Sequence, residues 1–202
     1  MTTARRHNLQ RQAGFTLIET LIVLAVIGLL VLITAPAFLG MINRFKLTGT
    51  TREVASLIQA ARMEAIKMNA PTQVNYDSTT NTFIAFVDLD RDNALTVPPD
   101  RILPGSAAVP LKVSFQGPGD GAPNGANAID GWDDAPSRLG PVFRPDGSAD
   151  RVGAYRLKDA NDNYLEVRIE TPATGRIVLR KRDRDDGVFY LNGEGGHKWV
   201  WY

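Results

Sequence analysis

The sequence contains no cysteine and only two histidines among its 202 residues. The absence of cysteine excludes disulfide bonds and thiolate metal sites. His7 lies in the basic N-terminal stretch and His197 lies near the C-terminus, so we expect no histidine-based catalytic or zinc site. The sequence also lacks any arrangement typical of a Ser/His/Asp or Cys/His nucleophile and any phosphate-binding glycine loop. We therefore expect a protein that is not an enzyme and requires no cofactor.

Charge of one sign is not in excess either. The 23 lysine and arginine residues oppose 22 aspartate and glutamate residues, which gives a net charge of +1. A polyanion-binding protein is usually far more basic as a whole. The length is enough for one folded domain in addition to an N-terminal anchor.

Charge is almost absent from one long apolar stretch, residues 15–42, in which Glu19 is the only charged residue. A helix of about 20 apolar residues spans the hydrocarbon core of a bilayer. Three arginines and no acidic residue precede the stretch, which predicts a cytoplasmic N-terminus and an exported C-terminal part. The apolar core is too long for a cleaved secretory signal, and no small-residue cleavage site follows it. We therefore expect a retained, single-pass membrane anchor.

Glu19 lies just inside this apolar stretch. A carboxylate within a membrane-spanning helix is costly, so an ionisable residue there is by default a functional hypothesis. The alternative interpretation is that Glu19 lies at the level of the lipid head groups and is simply solvated.

The residues from Gly14 to Glu19, preceded by a basic segment and followed by an apolar one, resemble the processing site of type IV pilins and type II secretion pseudopilins. In that family a prepilin peptidase cuts after the glycine on the cytoplasmic side and N-methylates the new N-terminal phenylalanine. The resemblance implies that residues 1–14 form a leader, that cleavage separates Gly14 from Phe15, and that Phe15 is methylated. Pro36 falls where many pilins carry a helix-kinking proline, whereas the leader is somewhat longer than is usual.

Electrostatics gives Glu19 an assembly role if this cleavage takes place. Opposite charges attract strongly at the edge of a low-dielectric helix bundle, and a lone buried charge is penalised. Glu19 of one subunit can neutralise the Phe15 amine of its neighbour, which favours one axial register over others. Such non-closing contacts generate helical filaments.

The resemblance further implies a bacterial inner-membrane location before assembly into a pseudopilus or pilus. The implied partners are membrane lipid, other pilins or pseudopilins, the prepilin peptidase/N-methyltransferase and the inner-membrane assembly platform.

An amphipathic continuation of the helix is predicted over residues 43–70. Its apolar side chains recur at spacings of four, three and four residues: Val54, Ile58, Ala61 and Ala65. Pro71 ends the helix, since the residue before a proline avoids the α conformation. The segment 61–74 resembles the end of the helix in minor pseudopilins and pilins of the GspH/FimT type, and its charged residues Arg62, Glu64 and Lys67 are expected on a solvated face.

The remainder, residues 71–202, is predicted to form a periplasmic antiparallel β-domain. Alternating apolar residues and turn residues predict strands at 72–76, 83–87, 111–115, 142–143, 154–157, 164–169, 176–180, 188–191 and 198–201. The first two strands are expected to form a hairpin. Leu165, Val167 and Ile169 are expected to face one side of the sheet, with Ile177 and Leu179 opposite them across the turn at 172–175. Residues 116–138 are expected to form a long surface loop. Residues 142–143 are followed by a turn that resembles the F-x-P-x-G element of the family, and they are expected to open the last sheet. The fold class is therefore α+β, a pilin-like fold in which a long N-terminal helix packs on a C-terminal β-domain.

A loop after the second predicted strand is rich in carboxylates: Asp88, Asp90, Asp92 and Asp100. The first three have the spacing of the first ligands of a calcium loop, which predicts a Ca²⁺ site. Asn93 stands where glycine is expected, and Arg91 adds an opposing charge. The alternative is a self-hydrogen-bonded Asx turn, and similar turns recur in GspH/FimT-type sequences without implying a metal.

Arginines near the C-terminus share one predicted strand face: Arg176, Arg180, Arg182 and Arg184. Such a stripe can follow the phosphates of DNA, and its Gly-Arg start resembles the DNA-binding region of FimT-type pilins of competent bacteria. Glu166 and Glu170 are expected on the polar face of the neighbouring strand, and cross-strand ion pairs with them offer another explanation. The aromatic tail after His197 similarly suggests either a partner-docking surface or side chains that pack inward.

The sequence thus supports a minor pilin or pseudopilin as the leading hypothesis. A DNA-binding pilin that acts in natural transformation is the alternative, through the arginine stripe. A third hypothesis is a membrane-anchored, lectin-like or adhesive domain that is not processed at Gly14.

Overall fold

The structure is a computed structural model that describes residues 15–119, 128–132 and 139–201. The predicted leader, with Gly14, lies outside these residues. The described elements, in chain order, are α1 (Leu17–Met68), β1 (Thr72–Asp77), β2 (Thr82–Val87), β3 (Arg101–Ile102), β4 (Ala107–Ala108), β5 (Val113–Phe115), β6 (Ile129–Asp130), β7 (Val142–Phe143), β8 (Gly153–Asp159), β9 (Tyr164–Thr171), β10 (Arg176–Arg182) and β11 (Phe189–Tyr190). Short 3₁₀ turns lie at Pro172–Thr174 and Glu194–Gly196.

The chain divides into two compact units, Met1–Leu39 and Gly40–Tyr202. In the first unit, every described side chain from residue 15 to residue 35 is exposed. By its length and composition, α1 is long and apolar enough to cross a membrane. The predicted apolar helix is thereby confirmed.

In the second unit, the C-terminal part of α1 buries one side of the helix. Its buried apolar residues are Leu47, Val54, Leu57, Ile58, Ala61 and Ala65, which include all four members of the predicted stripe. The helix ends where Asn69 adopts a left-handed conformation (φ 50°) and the Ala70 amide donates to the Ala65 carbonyl. This is a common way to satisfy the last carbonyls of a helix, and Pro71 follows it directly.

One antiparallel sheet has the strand order β3-β2-β1-β7, and β4 also pairs with β2. The predicted β1–β2 hairpin is confirmed, with Thr72 opposite Val87 and Asp77 opposite Thr82. The second sheet has the order β11-β10-β9-β8-β5, and β6 also pairs with β8.

The β9–β10 hairpin lies in the predicted register. Ile177 pairs with Ile169 and Leu179 pairs with Val167, on either side of the turn after Thr171. Alternation along β9 buries Val167 and Ile169 together with Leu165, which fits a strand with one apolar face.

A tyrosine hydroxyl joins the two sheets within the core. Tyr155 Oη, on β8, lies 2.7 Å from the Val74 carbonyl oxygen on β1 and 2.8 Å from that of Leu139. Gly140 makes this approach possible, because a Cβ at that position would lie 1.8 Å from the Val74 oxygen and 1.9 Å from the Tyr155 hydroxyl. Phe83, Phe115 and the Tyr155 ring pack with centroids 5.0–5.7 Å apart.

Several strand predictions are corrected by the structure. The segment predicted as the third strand is preceded by β3 and β4, and it is shortened to Val113–Phe115. The β7 strand does not open the last sheet, because it pairs with β1 in the first. Residues 198–201 are not a strand, and the predicted loop 116–138 contains β6. Two-residue strands carry no alternation that a sequence pattern can detect, and the partner of β7 is distant in sequence.

Candidate functional site

Glu19, which is predicted to act in assembly, lies in the first turn of α1, and Phe15 precedes the helix. The Glu19 amide donates to Thr16 Oγ1 (3.3 Å) and to the Thr16 carbonyl (3.2 Å), so Thr16 acts as the N-cap of the helix. Phe15 and Glu19 are both exposed, and no side chain in the described part of the chain pairs with the Glu19 carboxylate. The first turn is a favourable place for an acidic residue because the helix dipole is positive there. Pro36 lies within α1, and Gly14 lies outside the described residues.

The acidic loop between β2 and β3 brings its four aspartates together. Asp88, Asp90, Asp92 and Asp100 each place one carboxylate oxygen within 4.8 Å of the others. Asp88 and Asp100 are buried, whereas Asp90 and Asp92 are exposed. The predicted candidate metal ligands therefore lie together, as their spacing suggested.

Backbone amides stabilise part of this cluster. Asp100 accepts hydrogen bonds from the amides of Leu89 (2.8 Å) and Thr96 (2.9 Å), and these contacts tie the two ends of the loop together. Asp90 accepts from the Asp92 amide (3.3 Å), which is an Asx turn of the predicted kind.

Asp88 is the buried member that these contacts do not fully satisfy. Its Oδ2 accepts from the Asn93 amide (3.0 Å), but its Oδ1 is buried and has no hydrogen-bond partner within the described residues. Burial raises the pKa of Asp88, amides of the loop oppose this change, and the neighbouring Asp100 and Asp90 raise the pKa further. A buried carboxylate with an unsatisfied oxygen is costly.

The arginine stripe is partly neutralised by ion pairs. Arg180 forms an ion pair with Glu170, and Arg176 approaches the same carboxylate at 3.6 Å. The cross-strand pairing considered from the sequence is therefore present for Glu170. Val178 lies between the two arginines and is buried.

The other two arginines of the stripe have different surroundings. Arg182 lies over the Tyr164 ring, 5.8 Å from its centroid. Arg184 does not lie on the strand face as predicted, because β10 ends at Arg182, and its guanidinium donates to the Asn161 carbonyl. Three of the four predicted arginines, Arg176, Arg180 and Arg182, therefore lie on β10.

A charged network on the second sheet was not anticipated from the sequence. Arg156 donates to Glu166 (3.2 Å) and to Asp130 (2.9 Å), and Arg168 also donates to Asp130 (2.9 Å). Glu166 is only 1% exposed, and burial raises its pKa against the opposing effect of the arginines, chiefly Arg156. Alternation predicted an outward-facing Glu166, but it could not reveal that neighbouring side chains cover this face.

Arg62 also differs from its predicted solvated position. Its Nε donates to the Gly147 carbonyl oxygen (2.9 Å), in the turn after β7. A Cβ at Gly175 would lie 2.8 Å from the same Nε. The helix-end segment, the F-x-P-x-G element and the Gly-Arg pair therefore meet at one point of the fold.

The aromatic tail packs inward, as one of its two interpretations proposed. Trp199 and Trp201 contact the hydrophobic core, and Trp199 Nε1 donates to the Tyr190 carbonyl (3.0 Å). The Trp201 ring lies 5.4 Å from Lys181 Nζ and 5.7 Å from the Arg44 guanidinium carbon. These contacts attach the tail to β10 and to α1.

Comparison with protein families gives two matches. The model of the prokaryotic N-terminal methylation motif matches residues 9–35. The model of the type II transport protein GspH matches residues 50–175, which is more than half of the chain. Comparison with curated proteins and with solved structures gives no significant match.

Proposed function

This chain belongs to the family of the type II transport protein GspH, and we propose that it is a minor pilin or pseudopilin. In this proposal it is a low-abundance structural subunit of a type II secretion pseudopilus or a type IV pilus. It is inserted through α1, processed between Gly14 and Phe15, and incorporated into the filament through the same helix. Its β-domain is the surface that faces its partners.

The observation that carries this proposal is the exposure of the apolar part of α1. Side chains from residue 15 to residue 35 are exposed on all sides, and they include Leu17 (83% exposed) and Leu32 (74%). A helix that is apolar all round requires an apolar environment on every side. Lipid supplies this environment before assembly, and the equivalent helices of neighbouring subunits supply it in the filament.

The position of Glu19 supports the assembly mechanism. Glu19 is the only charged residue in this part of the helix, and it has no partner among the described residues. In a helix bundle, its carboxylate needs a cation from another chain, because a lone charge in a low-dielectric environment is strongly disfavoured. The methylated N-terminal amine of Phe15 from a neighbour is the proposed cation.

The proposed location follows from the same segment. The basic residues before the apolar helix favour a cytoplasmic N-terminus, which places the β-domain in the periplasm. The matched methylation motif and the single described apolar helix support attachment to the bacterial inner membrane by one span. The prepilin peptidase and the assembly platform of that membrane are then the first partners.

The two competing hypotheses have less support. A DNA receptor needs arginines that are available to phosphates, but Arg176 and Arg180 both pair with Glu170. An unprocessed, membrane-anchored adhesive domain gives no role to Glu19, which has no partner among the described residues, or to the methylation motif.

Filament incorporation in cells that make the whole machine tests the proposal. Glu19→Ala should insert in the membrane at the wild-type level but should be strongly depleted from sheared filaments. Glu53→Ala is the matched control, because Glu53 is an exposed acidic residue further along the same helix, and it should be incorporated like wild type. Equal incorporation of Glu19→Ala and Glu53→Ala would contradict the proposed mechanism.

A further inference from the structure

The loop of residues 88–100 has the composition and geometry of a cation site. One carboxylate oxygen from each of its four aspartates lies within 4.8 Å of the others. Within the described residues, the exposed Arg91 forms no ion pair with this cluster. Four carboxylates this close repel one another unless a cation or protons neutralise them.

Asx turns explain only part of the cluster. They use one oxygen of Asp90 and one of Asp92, which accept from the amides of Asp92 and Ala94. They do not explain why Asp88 is only 2% exposed, or why its Oδ1 is buried without a hydrogen-bond partner among the described residues. Buried polar atoms are nearly always satisfied, so this oxygen points to an additional ligand.

We propose that this loop binds Ca²⁺ through carboxylate oxygens of Asp88, Asp90, Asp92 and Asp100. Calcium takes six to eight oxygen ligands at about 2.3–2.6 Å, so two ligands of one ion are at most about 5 Å apart. The limit of 4.8 Å is compatible with this distance. Magnesium requires a near-ideal octahedron, keeps several of its waters and is usually held by only one or two carboxylates. A site of four carboxylates therefore favours calcium, and water completes the coordination shell.

The bound ion joins the two ends of a long connection. Asp88 directly follows β2 and Asp100 directly precedes β3, and these strands pair through Val87 and Arg101. Calcium gives the buried Asp88 oxygen its missing partner and neutralises the repulsion between the carboxylates. The expected consequence is a β-domain that resists unfolding better in the presence of calcium.

Calorimetric titration of the full chain in non-ionic detergent, after treatment with EGTA, tests the proposal. CaCl₂ should bind with a 1:1 stoichiometry and a Kd of about 0.1–1 mM, the range typical of extracellular calcium modules. The midpoint of thermal unfolding should rise with the CaCl₂ concentration. MgCl₂ at the same concentration should produce a clearly smaller rise.

Substitutions distinguish calcium binding by this loop from a general screening of charge by the added salt. Asp90→Asn combined with Asp92→Asn changes only exposed side chains of the cluster, so the protein should remain folded but lose at least tenfold in calcium affinity. Asp185→Asn is the matched control, because Asp185 is an exposed acid in a different turn, and it should bind like wild type. The proposal is overturned if wild type shows no saturable binding, if the double variant binds equally well, or if magnesium has the same effect as calcium.

Discussion

Arg62 and Gly147 are joined by a hydrogen bond of 2.9 Å from the guanidinium Nε to the carbonyl oxygen. The bond connects the last turns of α1 to the turn after β7, two segments that are 85 residues apart. Gly175, in the turn before β10, lies against the same guanidinium. The Arg62 side chain therefore positions two turns of the β-domain, although the sequence around Arg62 predicted a solvated residue.

This relationship predicts a specific cost for a side chain at Gly175. Gly175→Ala should lower the free energy of unfolding by about 1–2 kcal/mol for its left-handed backbone, and by about a further 1–2 kcal/mol for crowding. The crowding arises because the new Cβ would lie 2.8 Å from Arg62 Nε and 3.0 Å from the Gly147 oxygen. Denaturant unfolding of the full chain in detergent measures both contributions together.

Gly195→Ala is the matched control for this substitution. Gly195 has nearly the same φ, 58° against 59° for Gly175, but its Cβ would meet nothing closer than 3.6 Å. It should therefore show only the backbone cost. Equal losses for the two variants would mean that the contact with Arg62 has no energetic role.

The buried Glu166 predicts a dependence of stability on pH. Burial raises its pKa in the folded state, so Glu166 takes up a proton more readily in the folded chain than in the unfolded chain. Glu166 then contributes stability that is fully present below its unfolded pKa of about 4.3 and is lost as the pH rises through the raised folded pKa. Glu166→Gln stays neutral at every pH and should remove this contribution.

Denaturant unfolding at a series of pH values measures the effect. The free energy of unfolding of wild type, minus that of Glu166→Gln, should increase as the pH falls across this window. A difference that stays constant with pH would show that Glu166 titrates alike in the folded and unfolded chains. A difference that changes in the opposite direction would show that the arginines around Glu166 outweigh its burial.

The shared pairing of Arg176 and Arg180 with Glu170 predicts weak DNA binding. In gel-shift assays of the full chain in detergent, Arg176→Ala combined with Arg180→Ala should change the affinity little. Glu170→Gln releases both guanidiniums and should increase binding, with a steeper salt dependence. Tight, salt-sensitive binding by wild type that the double variant loses would favour the DNA-receptor hypothesis instead.

Local patterns in the sequence were sufficient to predict the elements with strong periodicity. The stripe from Val54 to Ala65 identified the buried face of α1, because a helix repeats every 3.6 residues. The alternation around Val167 and Ile169 identified β9 and its register with β10. The Asp88–Asp92 spacing likewise identified residues that the fold brings together.

Features that depend on distant partners could not be predicted in this way. The sequence around β7 gives no indication that Phe143 pairs with Thr72 of the first sheet. The burial of Glu166 depends on Arg156 from the adjacent strand, and the role of Arg62 depends on a turn far along the chain. Charged residues such as these look solvated in a local pattern, since only the tertiary fold shows what covers them.

The N-terminal peptide of the protein recovered from sheared filaments provides the most direct test of the proposed function. Mass spectrometry should find a chain that begins at Phe15 and carries one methyl group on its N-terminal amine. A chain in the same cells that retains residues 1–14, while other prepilins are processed, would contradict the account.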